Sequence, residues 1–508
     1  MKSYAQNRDK ITRRQFVTRL GAGAAAVGLA GALSEQSIAA RGSAAKAEPV
    51  KRPNILFLMS DQHRWDFMGC TSHPLVRTPN MDRLAAEGAL FDAAYCHWPV
   101  CVPSRMSMIT GRYAHSHGTL GNTYALPQDQ QTIGGYLKTL GYRTAAIGKM
   151  HFVDEDQQHG FDDRVEKADY SKDKGTEIRN TKILARSGQP WGISTQTEDE
   201  TYEHYIAGKT IEWLEKKGDK PFCVWCSFSA PHPPFVAPEN FYKLYEGKVK
   251  IPPQPPTPNP FLKKSTQEWA DLTDEQAPVV MTAYMASITQ MDRNIGRVLE
   301  ALEKLGLADN TVVSYTSDHG DMQWQHGRFG KMTMFDGAAR IPMIMRYKRR
   351  IAGGIVRHEI VEHVDMYPTF CDLLGVPTPA AVQGRSLMPL LEGKTANWPN
   401  TAFIEMGNSV VVRASRYKCR FEARKALELY DLEKDPQEWD NLIGKPGSDK
   451  ILAEMRQLLD DWWKRTQPDL RGQVKPYRSG KAAAKSAKKT KEQTGKRASK
   501  KSTADQNK

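Results

Sequence analysis

The sequence predicts an α/β protein with a large, mostly parallel sheet sandwiched between helices, followed by a small C-terminal antiparallel sheet with one helix. Three observations carry that prediction. Apolar runs at Asn54–Ser60, Thr144–Ile147, Pro221–Ser229 and Thr311–Ser317 are continuous rather than alternating, the pattern of strands buried on both faces. Between them, Thr78–Gly88, Thr132–Gly141, Glu200–Lys217 and Val279–Leu305 carry apolar residues at helical spacing, and Gly88, Gly141, Gly218 and Gly306 stand where those helices should stop. Beyond about residue 395 the texture changes. Short strands at Phe403–Glu405, Ser409–Arg413 and Tyr417–Glu422 precede an amphipathic helix at Lys450–Lys464.

The ends of the chain read differently from its body. The net charge is +14 over 508 residues, but residues 1–47 hold eight Lys/Arg against two Asp/Glu and residues 475–508 hold twelve against two. The body between them is close to neutral, so its charge gives no ground for reading it as a polyanion-binding module and leaves no specific nucleic-acid partner. With 40% hydrophobic and 9% aromatic residues, a body of this length buries a full core. No run approaches the roughly 20 apolar residues of a spanning helix, so a polytopic membrane protein is excluded.

Residues 1–47 resemble an address label. Thr12-Arg13-Arg14-Gln15-Phe16-Val17 precedes an uncharged Gly/Ala-rich stretch, Leu20–Leu33, and small-residue sites follow at Ala39-Ala40 and Ala45-Lys46-Ala47. Paired arginines point to twin-arginine (Tat) export, hence to that machinery as a partner and to a periplasmic or secreted protein that is not integral to the membrane after cleavage. An uncleaved anchor helix is the alternative reading. The tail from about Lys475 is Lys/Ala/Ser/Thr-rich and is expected to be disordered; it is either a solubilising segment or a tether to an anionic surface. The expected organisation is thus a leader (1–47), a catalytic α/β domain (48–394), a small α+β subdomain (395–474) and the tail (475–508).

Seven cysteines (70, 96, 101, 223, 226, 371 and 419) form no dense disulfide set. Cys223-Val224-Trp225-Cys226 has the spacing of a redox or zinc half-site, but it lies within an apolar run and reads as two buried thiols. Ile251–Pro260, with six prolines, reads as an extended surface loop.

Four of the apolar runs end in chemistry: Asp61-Gln62, Gly148-Lys149-Met150-His151, Ala230-Pro231-His232 and Asp318-His319-Gly320. Ligands of open α/β sheets bind beyond the carboxyl ends of the strands, so these ends form four walls of one candidate site. Taken singly, Asp61-Gln62 could cap a helix, Asp318-His319-Gly320 could be an Asx-type turn and Lys149 a solvated lysine.

The most specific segment is Cys101-Val102-Pro103-Ser104-Arg105, with Thr110-Gly111 shortly after. Here the chain resembles the sulfatase family, of alkaline-phosphatase-like fold, in which the cysteine of Cys-x-Pro-Ser-Arg is oxidised by a formylglycine-generating enzyme. The resemblance covers about residues 52–445. It includes Arg52–Gln62, Thr78-Pro79-Asn80-Met81-Asp82-Arg83-Leu84, Gly148–His151, Ser229–Pro234, Ser317–Gly320, Gly330-Lys331 and Glu428–Leu432 with Asp435-Pro436.

That resemblance implies hydrolysis of a sulfate ester, R–O–SO3−, to alcohol and sulfate. A thiol would form an adduct that is hard to break down, whereas a hydrated aldehyde offers one hydroxyl as nucleophile and a second to expel sulfate. By the same resemblance Asp61, Gln62, Asp318 and His319, with the matured Cys101, would hold one divalent cation. Arg105 would stabilise the hydrate, and Lys149 and Lys331 would clamp the sulfate oxygens. His232, with Lys331, would help the alcohol leave, and His151 would be the base that regenerates the aldehyde. Ser104 and Asn122 complete the expected substrate contacts.

Gln62 and His319 depart from the commoner ligand set of two Asp, then Asp and Asn. They leave two formal negative charges, which suits Ca2+, with Mg2+ or Mn2+ as alternatives. A carbohydrate sulfate is the expected substrate and choline sulfate another. Loops 154–200 and 235–275 would set its identity. Two rival functions are a phosphonate monoester or phosphodiester hydrolase of the same superfamily and a catalytically silent polyanion-binding protein.

Overall fold

The computed structural model describes residues 52–153, 158–173, 187, 189–262, 269 and 271–476. The leader and nearly all of the basic tail lie outside the described residues. The main sheet has eight strands: β1 (Asn54–Ser60), β2 (Ala89–Phe91), β3 (Arg143–Gly148), β4 (Asp163–Val165), β5 (Phe222–Ser227), β6 (Thr311–Ser317), β7 (Met343–Arg346) and β8 (Ile355–Arg357). Their spatial order is β8-β2-β7-β6-β1-β5-β3-β4. Strands β6, β1, β5, β3 and β4 run parallel, while β7 is antiparallel to both of its neighbours. The four runs that end in chemistry are therefore consecutive neighbours at the centre of the sheet.

Strand β1 shows why continuous apolar runs belong there. Ile55, Phe57 and Met59 face one hydrophobic cluster, and Leu56 and Leu58 face another on the opposite side. The first side is covered by α2 (Cys101–Thr110) and α6 (Met366–Leu374), the second by α1 (Pro79–Ala86), α4 (Tyr202–Glu215) and α5 (Ala277–Lys304). A remaining helix, α3 (Ile133–Thr139), also packs on the first side. The same alternation disposes of the Cys223/Cys226 spacing. Residues three apart on a strand point to opposite faces; Cys223 packs in one cluster, Cys226 in the other, and all seven cysteines are unpaired.

Of the four glycines expected to stop helices, Gly141, Gly218 and Gly306 have positive φ, as such ends require. Gly88 does not. A Cβ there would lie 2.3 Å from the Met345 carbonyl oxygen, so this glycine admits β7 rather than ending α1.

The C-terminal sheet comprises β9 (Ala402–Met406), β10 (Ser409–Arg413), β11 (Tyr417–Glu422) and β12 (Lys425–Asp431), an antiparallel meander covered by α7 (Ser448–Arg465). It does not own a separate core. Phe403, Val412, Leu459 and Trp462 share one cluster with Tyr113 and Val364 of the main body. No described helix is long and apolar enough to cross a membrane.

Candidate active site

Helix α2 begins at Cys101, whose side chain is fully buried. Val100 offers no side-chain cap; instead Asn122 Oδ1 accepts the Val102 N–H at 3.1 Å, meeting one of the donors a helix start leaves open. Asn122, expected on the substrate, is exposed and uses this oxygen to hold the helix end. The Ser104 hydroxyl is likewise committed to the scaffold. It donates to the Asp318 carbonyl at 2.5 Å and lies 3.1 Å from His363 Nδ1.

Arg105 ties α2 to all four strand ends. Its Nη2 meets Asp61 Oδ2 at 2.9 Å, Nε meets Asp318 Oδ2 at 2.9 Å, and Nη1 donates to Ser227 Oγ at 3.1 Å and to the Lys149 carbonyl. Burial works against its charge, but Asp318 and Asp61 hold it protonated.

Around Cys101 Sγ lie Lys331 Nζ at 2.9 Å, His319 Nε2 at 3.3 Å and Asp61 Oδ1 at 3.8 Å. Lys149 Nζ reaches Asp61 Oδ2 at 2.8 Å, and His232 Nε2 is 3.9 Å from Asp61 Oδ1. Burial would raise the Asp61 carboxyl, yet Lys149, His232, Lys331 and Arg105 hold it well below the usual range. Burial and Asp61 oppose a thiolate at Cys101, but Lys331, His319 and Lys149 bring that thiol well below its ordinary value. His232 is pushed down to about 4 by burial, Lys149 and Lys331. This is a site built to receive negative charge.

Ligand atoms of Asp61, Cys101, Asp318 and His319, all buried, lie within 4.8 Å of one another. Two further details show that these residues fit a divalent cation. Gln62 Oε1 is buried and has no hydrogen-bond partner among the described residues, while its Nε2 donates to Asp321 Oδ2 at 2.6 Å. His319 Nδ1 sits 2.9 Å from the Gly320 carbonyl, which places the proton on Nδ1 and leaves the Nε2 lone pair toward the cluster. Burial disfavours a charged ring, but Asp318 lifts His319 above its ordinary value, so protons compete with a cation for Nε2. Two carboxylates, an amide oxygen and an imidazole suit a hard or borderline divalent ion.

Lys149, His151 and His232 line a cavity of about 370 Å3 beside this cluster. His151 holds a positive φ of 57° and its Nδ1 has no partner among the described residues. The structure thus brings Asp61, Gln62, Cys101, Arg105, Lys149, His232, Asp318, His319 and Lys331 to one place, with His151 at the cavity. Sequence reasoning missed Asp321 and His363. Asp321 also accepts the Gly330 N–H at 3.0 Å, so one carboxylate holds both Gln62 and the turn that carries Lys331.

Fold and site together define a hydrolase of the alkaline-phosphatase-like superfamily, with a buried cysteine at a helix start and an acid-lined cluster at the strand ends. The chain belongs to the sulfatase family, the sulfuric ester hydrolases: the family profile described as Sulfatase matches residues 53–376, and that of the N-sulphoglucosamine sulphohydrolase C-terminal region matches 324–465. An N-acetylglucosamine-6-O-sulfatase of Bacteroides thetaiotaomicron is 31% identical over 499 residues, spanning 82% of this chain and 87% of that protein. A choline-sulfatase of Rhizobium meliloti is 29% identical, spanning 80% and 86%. Among solved structures, a complex with the substrate D-glucosamine-2-N,6-O-disulfate superposes with a TM-score of 0.68 at 28% identity, over 82% of this chain and 98% of that one. A phosphonate monoester hydrolase of Agrobacterium radiobacter gives a TM-score of 0.74 at 24% identity, over 82% and 96%, which speaks for the shared fold.

Proposed function

We propose that this chain hydrolyses a carbohydrate sulfate ester, using a formylglycine made from Cys101 and one divalent cation. The observation that carries this reading is Cys101 itself: a buried side chain at a helix start, ringed by Lys331, His319 and Asp61. The matured residue would supply, as a hydrate, one hydroxyl for attack on sulfur and another for release of sulfate. Asp61, Gln62, Asp318 and His319 would hold the cation, Ca2+ before Mg2+ or Mn2+, which would offset sulfate charge and orient that hydrate.

The remaining roles belong to the chain. Lys149 and Lys331 converge on Asp61 from two sides and would clamp the sulfate oxygens between them. His232 Nδ1 is fixed at 2.7 Å from the Pro233 carbonyl, which leaves Nε2 facing the cluster. An anion seated between the lysines offsets the charges that depress His232, so substrate itself helps load the proton that the alcohol takes as it leaves. His151, with an unpartnered ring nitrogen at the cavity, would be the base of the closing step.

Gln62 with His319 also suits a phosphonate or phosphodiester hydrolase, and the ratio of aryl sulfate to aryl phosphonate turnover separates the two. The pair Lys149 and His151 favours sulfate. Twin arginines at positions 13 and 14 support export to the periplasm or beyond, which fractionation of the native host would test.

The deciding experiment is mass spectrometry of the peptide across Cys101 after co-expression with a formylglycine-generating enzyme. Conversion of thiol to aldehyde is expected, and Cys101→Ala is expected to abolish sulfate ester turnover with the fold intact. An unconverted Cys101 beside a converted control substrate, or full activity in the variant, overturns the mechanism.

A further inference from the structure

The cavity beside Lys149 and His232 has a far wall that the sulfate chemistry does not use. Tyr202 and Glu203 open helix α4 there; the Tyr170 ring packs 5.1 Å from that of Tyr202, and Gln196 belongs to the same lining. The Tyr202 hydroxyl is buried and has no hydrogen-bond partner among the described residues, although the side chain is only 6% exposed. A buried phenol is ordinarily paired, and this one has no protein partner among the described residues. Glu203 Oε1 accepts the Ala230 N–H at 3.0 Å, and no ion pair to Glu203 is found among the described residues.

A carboxylate can only accept hydrogen bonds, so whatever meets Glu203 in the cavity must donate. Burial raises the Glu203 carboxyl above its ordinary value, against backbone N–H groups at Glu203, Ala230 and Ser229 and the charge of Lys167, which favour the carboxylate. The other charges at this wall are weaker selectors. Glu166 is paired with Arg164, and Lys167 is exposed, where solvent and salt screen it. At the opposite end, Lys149 and His232 lie 2.8 Å and 3.9 Å from Asp61, so an ester whose sulfate sits at the cluster points its alcohol half into this space. A volume of about 370 Å3 is at the small end for ligand pockets, room for a ring and its substituents rather than for a polymer.

We propose that this cavity is the subsite for the alcohol half of the ester, and that it takes one hydroxylated ring donating a hydroxyl or ammonium to Glu203, with no second anionic group beside it. The inference rests on the sulfatase reading above and sharpens it. Tyr202 supplies the second polar contact.

The test uses the full chain with Cys101 converted, 4-nitrophenyl sulfate as a small reference ester, and monosulfated amino sugars each paired with a counterpart bearing a second sulfate. The best monosulfated sugar is expected to exceed its disulfated counterpart in kcat/KM by roughly tenfold or more, because a second sulfate would set like charges beside Glu203. Glu203→Gln keeps an oxygen for Ala230 and is expected to narrow that ratio to about twofold. Tyr202→Phe is expected to raise KM for the sugar ester relative to the aryl ester, and it decides the matter should Glu203→Gln not fold. An unchanged mono- to disulfated ratio in Glu203→Gln, equal or better turnover of disulfated sugars by the parent, an unmoved KM in Tyr202→Phe, or cleavage of the aryl ester with no monosulfated sugar turned over would each overturn the subsite. Absence of aryl sulfate turnover by fully converted enzyme would instead bring down the sulfatase reading, and the subsite with it.

Discussion

Gln62 can present either end of its amide to the acid cluster, and Asp321 decides which. The Asp321 carboxylate accepts from Gln62 Nε2 at 2.6 Å, from Gln323 N and Nε2 at 2.8 Å each, and from Gly330 N at 3.0 Å. An acceptor-only partner fixes the amide nitrogen toward itself and leaves Oε1 as the end without a partner among the described residues. Asp321→Asn can donate as well as accept, so the amide loses its reason to point one way. Cation affinity of the unconverted Cys101 protein is expected to fall by roughly 10- to 100-fold, the usual cost of losing a partner behind a ligand. Calorimetric titration with Ca2+ and Mn2+ reads this, and an unchanged Kd would remove Asp321 from the account. Gln62 was legible in the sequence because it follows an apolar run directly. Asp321 was not, because an acid four residues past a strand end looks the same whether it faces solvent or an amide. Ser104 shows the converse: a family motif named it, but only the structure shows its hydroxyl holding the Asp318 carbonyl.

Among the elements, α2 carries the most consequence, and the segment entering it is held by one neutral histidine. His97 Nδ1 lies 3.0 Å from the Phe403 carbonyl in β9, and the Val364 N–H donates to Nε2 at 3.3 Å. With one nitrogen donating and the other accepting, a second proton has no place, and burial pushes His97 down to about 4. A histidine lowered from 6.5 lets the unfolded chain take the proton first. Its contribution is thus complete above about pH 6.5 and lost as pH falls toward 4, by about 3 kcal/mol in all. Gln can donate and accept at the same two places without titrating. The fall in Tm between pH 7.5 and 5 is therefore expected to be smaller in His97→Gln than in the parent, and parallel profiles would show that His97 does not carry the dependence. Long elements were read well from sequence, as β1 and β6 show, because seven buried residues leave a plain pattern. Strands β2 and β8 have three residues each, too few for any period to register.

Taken as a whole, the molecule binds its C-terminal sheet to the active site through the residues that follow α2. Tyr113 lies just beyond that helix and packs edge-on against Trp462 of α7 at 5.1 Å, while Trp462 stacks on Phe403 of β9 at 4.8 Å. The His115 Nε2 and Gln383 Nε2 both meet the Thr466 carbonyl, at 3.0 Å and 2.9 Å. The change of texture near residue 395 marks a change of architecture in the sequence but not a place where the protein can be cut, because periodicity shows which faces are apolar and not what covers them. A chain ending at residue 394 would expose Tyr113 and Val364 to water and is expected to be insoluble or without fixed tertiary packing. Trp462→Ala tests the coupling more gently, at about 3–5 kcal/mol for a large aromatic removed from a core. One cooperative transition is expected to move down in temperature, with loss of sulfate ester turnover tracking loss of helix signal. A C-terminal region that melted early while turnover persisted would mean that the sheet is an accessory, and that α2 keeps Cys101 in place without it.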